Sequence, residues 1–87
     1  MKYIIKPHAR KRMRERSISE RIVQDALDNP TKVGYDTNGR ILIKRLYHKN
    51  SKERLLLVVC DKVADALEII TIIDTYKIKK YLLIKKS

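Results

Sequence analysis

Two stretches, residues 54–60 and 67–73, carry aliphatic side chains on both faces that a strand would present, with Leu55, Leu56, Leu57, Val58, Val59 and Cys60 in unbroken succession. A strand without a polar face has to be covered on both sides, so these stretches read as central strands of a sheet. Their branched aliphatic content suits that conformation. No apolar run reaches membrane-spanning length, because charges interrupt every one. The rest of the 87 residues must supply the cover, and a chain of this length supports one domain, 1–87, rather than two.

The N-terminal half supplies helices. Lys2–Lys6 is a short β-prone run that suits an edge strand, and Pro7 fits the first turn of a helix, where its missing N–H is not needed. From His8 to Arg16, helical spacing puts Ala9 and Met13 on one stripe and His8, Arg12 and Arg16 on a second stripe beside it. A further helix starts near Ser17–Ser19. Ser19 as N-cap sets Ile18 and Val23 as a hydrophobic staple and leaves Ile22, Val23, Ala26 and Leu27 as the inner face. Asn29-Pro30 stops it.

The C-terminal half alternates. Thr31–Tyr35 leads into the turn signal Asp36-Thr37-Asn38-Gly39. Arg40–Tyr47 sets Ile41, Ile43, Arg45 and Tyr47 against Leu42, Lys44 and Leu46. A polar loop is expected at 48–52, a connection at 61–65, and over Tyr76–Ile84 a short helix, with an edge strand as the alternative. The expected architecture is α+β: an N-terminal strand and two helices packed on an antiparallel sheet of about four strands, closed by a short C-terminal element.

Charge narrows the partner. The formal net charge is +11, and nearly all of the 21 lysines and arginines fall in residues 1–21, 40–54 and 77–86. Such an excess attracts polyanions across a Debye length of about 10 Å at moderate salt. RNA, or an acidic protein, is the expected partner; a merely solvated basic surface is the alternative. A single cysteine, Cys60, excludes an internal disulfide and a cysteine-based metal site, and its apolar surroundings point to a buried thiol. Residues 1–7 lack the long apolar segment of a signal peptide, so a cytoplasmic location is expected. With no glycine-rich phosphate loop, no spaced Cys/His cluster and no carboxylate pair at metal-binding spacing, neither cofactor nor metal is expected.

The run His8-Ala9-x-x-Arg12-Met13-x-x-Arg16-x-Ile18-Ser19, the later Asn29-Pro30, and Ile70-Thr71-Ile72-Ile73 followed by Thr75-x-Lys77-x-x-Lys80-Tyr81 resemble an uncharacterised prokaryotic domain family related to the BrnT and RelE-type toxins. The resemblance implies a RelE-like fold over residues 1–87. It also implies a toxin-like, metal-independent endoribonuclease of the mRNA-interferase kind, acting on RNA, in some relatives at the ribosome, and paired with an acidic antitoxin that covers the active surface. Other members of the wider superfamily inhibit DNA gyrase and cut nothing.

Metal-free RNA cleavage needs a base for the 2′-OH, cations for the phosphorane-like transition state and an acid for the leaving oxygen. His8 suits the proton transfer, since imidazole titrates near neutral pH, and Arg12 and Arg16 suit paired bonds to a phosphate. Arg45, which breaks the alternation of Ile41 and Ile43, and Tyr81, a phenol able to donate a proton or stack, complete the catalytic candidates. Arg16, Lys44, Lys77 and Lys80 are the candidate phosphate contacts. Each has a structural alternative. His8 could cap its helix, Arg12 and Arg16 could pair with Asp25, Asp28 or Glu68, and the basic C-terminal end could be solvated with Tyr81 on the core. A non-catalytic nucleic-acid-binding or protein-interaction module is the competing function. All of these readings assume that the first helix, the middle strand and the C-terminal element meet around one cleft.

Overall fold

A computed structural model describes residues 2–82. The chain runs β1 (Tyr3–Ile5), α1 (Pro7–Arg16), α2 (Glu20–Asp28), β2 (Lys32–Tyr35), β3 (Ile41–Lys49), β4 (Lys52–Val63), β5 (Ala66–Thr75) and α3 (Ile78–Leu82). The final positions of the expected C-terminal helix, 83 and 84, and the lysines at 85 and 86 lie outside the described residues.

The local signals act as expected at the helix ends. Pro7 sits in the first turn of α1. Ser19 caps α2, its side chain accepting from the Ile22 N–H at 3.3 Å. Between the helices, Ser17 takes the left-handed conformation at φ 55°, and the Ile18 N–H reaches back to the Met13 carbonyl at 2.8 Å. That turn drops Ile18 into the core.

The sheet is mixed and has five strands in the order β1-β5-β4-β3-β2. β1 pairs parallel with β5, and every other pairing is antiparallel. The expected count of about four is corrected by β2: the turn at 36–39 folds Lys32–Tyr35 back onto Ile41–Lys44, so this short segment becomes the second edge strand. The strands are also longer than expected. The loop expected at 48–52 shrinks to Asn50-Ser51, both at positive φ (54° and 67°), as a two-residue hairpin turn requires. His48, expected in a loop, lies within β3 opposite Glu53. The connection at 61–65 likewise shortens to Ala64-Asp65.

Both helices of the N-terminal half cover one face. Ala9, Met13, Ile18, Val23, Ala26 and Leu27 pack there against Ile43, Leu56, Val58, Cys60, Ile69 and Ile72. On the other face Leu42, Leu57 and Val59 pack with Ile73 and Tyr81, so α3 supplies the second cover that an apolar β4 demands. Among the described residues no helix is long and apolar enough to cross a membrane.

Candidate functional site

The α1 stripe is intact and faces solvent. His8, Arg12 and Arg16 are all exposed, flanking the buried Ala9–Met13 stripe that seats α1 on β5. Arg12 and Arg16 line a groove of about 240 Å³ with Thr71, Ile72, Ile73 and Asp74 of β5. Arg12 pairs only loosely, with Glu15 at 3.4 Å on the same helix. Asp25, one of the acids that could have neutralised this stripe, pairs with Arg45 instead. Among the described residues no carboxylate pairs with the Arg16 guanidinium.

A second, larger groove of about 460 Å³ shares Arg16 and Asp74 with the first and is lined by Glu15, Arg16, Ser17, Lys49, Asn50, Lys52, Arg54 and Asp74. The tight turn at Asn50-Ser51 brings this basic wall to the end of α1, because it makes Lys49 and Lys52 direct cross-strand partners and sets Arg54 opposite Tyr47. Lys49 Nζ donates to the Arg16 carbonyl at 2.7 Å, tying the hairpin to the last turn of α1.

At the floor lies Asp74, whose side chain is 2% exposed. Its carboxylate accepts from the Tyr47 hydroxyl and from Arg54 Nε at 3.0 Å, and Lys49 Nζ stands 3.7 Å away. Burial, reinforced by the bond to Asp74, pushes the Tyr47 phenol well above its usual value, so Tyr47 serves as a neutral donor and not as a base. The same carboxylate raises the pKa of Arg54 and fixes its charge.

The remaining sequence candidates lie elsewhere. Arg45 faces the helix side, where its Nε pairs with Asp25 at 3.1 Å and its Nη1 donates to the Asn29 carbonyl at 2.8 Å. It thereby fastens the C-terminal end of α2 to β3. Lys44, one residue away, points to the opposite face because strand side chains alternate. It is fully buried there and donates to the Leu82 carbonyl at 3.2 Å; burial, and secondarily Lys32, lower its pKa. Tyr81 packs on that face too, with Lys80 Nζ 5.4 Å from its ring, and Lys77 is exposed nearby. The single cleft expected from the sequence is therefore divided by the sheet. The α1 stripe meets the β3–β4 hairpin, while Lys44 and α3 occupy the other side. His8 begins the stripe but lines neither groove that Arg16 lines.

Sequence reasoning missed Lys49, Lys52, Arg54 and Asp74 as a set. The basic residues were visible as a charge run, but their meeting with Arg16 depends on the hairpin register. Asp74 carries no sequence signal beyond one acid ending an apolar run. Cys60 is buried, and burial pushes its thiol up to about 12, which agrees with an unreactive core residue. Among the described residues no three His, Cys, Asp or Glu side chains are grouped as metal ligands would be.

Residues 5–74 match the family described as Domain of unknown function (DUF4258), and the chain belongs to that family. No curated protein and no solved structure matches it.

Proposed function

We propose that this protein binds RNA through its phosphate backbone, along the groove between α1 and the β3–β4 hairpin. One observation carries the reading: Arg12, Arg16, Lys49, Lys52 and Arg54 line two grooves that share Arg16 and Asp74, and the Asp74 carboxylate between them is already engaged by internal donors. Cations gathered from separate elements create a focused field, whereas the same charges scattered would only aid solubility. Tyr47 spends its hydroxyl on Asp74, and no aromatic residue lines either groove. The contacts therefore favour phosphates over stacked bases, which predicts weak sequence preference. The choice of RNA follows the resemblance to RelE-type toxins. Labelled RNA titrated against wild type, Arg16→Ala and Lys52→Ala tests the reading. Each substitution weakens binding several-fold; unchanged affinity in both contradicts it.

Cleavage is the second reading, favoured by the exposure of His8 one and two turns before Arg12 and Arg16 on the same face of α1. In this reading the chain is a metal-independent, toxin-like endoribonuclease, and an acidic antitoxin-like protein covers the groove in competition with RNA. Incubation of labelled RNA with and without chelator, with the cut ends mapped, separates the two. Chelator-resistant cuts that vanish in His8→Ala, while binding survives, support cleavage; intact RNA under every condition leaves a binding module.

A further inference from the structure

We infer that Asp74 is a positioning residue that builds a seat for one RNA phosphate at the hairpin end of the groove, with Arg54 and Arg16 as its walls. The inference deepens the RNA reading and rests on it.

A carboxylate at the floor of a basic groove opposes an incoming phosphate by simple Coulomb repulsion. Its surroundings give it another task. Asp74 is almost wholly buried, so the ligand does not reach it, and Arg54 is held on its inner side, donating to Asp74 through Nε at 3.0 Å and standing beside the Tyr47 hydroxyl. The Arg54 side chain is 24% exposed, so its stem is packed and only its tip can meet the groove. A guanidinium held by one edge presents its other edge in a fixed orientation, which suits paired contacts to a phosphate oxyanion. The ordering of that long side chain is completed on folding and need not be repeated on binding.

Lys49 adds the second constraint. Its amine bridges the Asp74 carboxylate and the Arg16 carbonyl, which locks the hairpin against the end of α1 and sets Arg16 and Arg54 on the same groove. Tyr47 holds the carboxylate from the core side as a neutral donor. The raised pKa of the phenol keeps that bond in place through the range where RNA binding is measured.

Positioning and plain electrostatics predict opposite signs. Asp74→Asn removes a negative charge beside the seat. If Asp74 only balances charge, the substitution tightens RNA binding; if it positions Arg54, binding weakens about three- to tenfold, the worth of one pre-ordered side chain. Arg54→Lys provides a second test that does not depend on Asp74→Asn folding. It keeps the charge but cannot grip Asp74 with one edge and offer another to a phosphate, so its affinity falls as far as that of Arg54→Ala.

The experiment titrates a labelled oligouridylate against wild type and these variants, and follows the Arg54 Nε–H resonance of wild type on adding either the oligouridylate or inorganic phosphate. A shift with either probe reports an oxyanion at the seat, and a shift with the oligouridylate alone assigns the seat to the RNA backbone. Wild-type binding with Asp74→Asn or Arg54→Lys equal to or tighter than wild type overturns the inference and leaves the RNA reading standing. Failure of wild type to bind the oligouridylate overturns the RNA reading itself.

Discussion

Lys44 Nζ donates to the Leu82 carbonyl at 3.2 Å from a side chain with no solvent exposure, so an amine rooted in β3 closes the last turn of α3 on the far side of the sheet. This contact explains how a five-residue helix, far too short to persist alone, stays in place. Tyr81 covers Leu42, Leu57 and Val59 while Lys44 donates to the Leu82 carbonyl.

The pH dependence of stability follows from that burial. Desolvation lowers the Lys44 pKa below its ordinary 10.5, so over the window between the lowered value and 10.5 the unfolded chain binds more protons than the folded one. The penalty is fully present below the lowered pKa and is relieved as pH rises towards 10.5. Denaturant unfolding of wild type and Lys44→Met should therefore show wild type gaining stability relative to the variant as pH rises through the window below 10.5. A difference that stays constant across the window contradicts this assignment.

Arg45 is expected to matter for stability and not for RNA. Its bond to the Asn29 carbonyl and its pair with Asp25 fasten α2 to the sheet, and both are partly exposed. Arg45→Ala should cost about 1–2 kcal/mol, a fall in Tm of roughly 4–16 °C for a domain of this size. The salt dependence of RNA binding should be unchanged. A loss of RNA binding with stability intact would place Arg45 at the functional surface instead.

Ala64, in the two-residue turn between β4 and β5, sits at φ 56°, a conformation that costs a residue with a Cβ about 1 kcal/mol. Ala64→Gly removes that strain but loosens the unfolded chain. The net expectation is a gain of a few tenths of a kcal/mol, read as a small rise in Tm by thermal unfolding. A fall in Tm would show that the turn gains more from the methyl group than it loses to strain.

Much of the fold was legible because its signals are local. Pro7, the Ser19 cap, Asn29-Pro30 and the turn at 36–39 each act through their own backbone, and they marked the helix and strand boundaries. The doubly apolar run through β4 correctly required cover on both faces, but nothing in the sequence says which segment provides the second cover. That is why Lys44 read as a surface cation. The fifth strand escaped because β2 is short, exposed and recognisable only through its partner β3.

The site was legible in part for the same reason. Helical periodicity found Arg12 and Arg16, and the two-residue alternation of a strand put Arg45 and Lys44 on opposite faces. The union of Arg16 with Lys49, Lys52, Arg54 and Asp74 depends on a register set by two turn residues, Asn50 and Ser51. Tyr47, placed by alternation on the face of Ile41 and Ile43, packs against the core, but its hydroxyl also holds the acid that organises the groove.

The most direct test of the groove is the salt dependence of RNA affinity. For a single strand, log Kobs should fall with log salt at a slope of about −0.7 per phosphate neutralised. Wild type should therefore show a slope of roughly −2 to −3.5 for three to five contacts, and the combined Arg16→Ala, Lys52→Ala, Arg54→Ala protein should lose about −2 of it. Lys77→Ala with Lys80→Ala, on the opposite side of the sheet, should leave the slope unchanged. The reverse pattern, with the groove variant retaining the wild-type slope and the α3 variant losing it, would contradict the account.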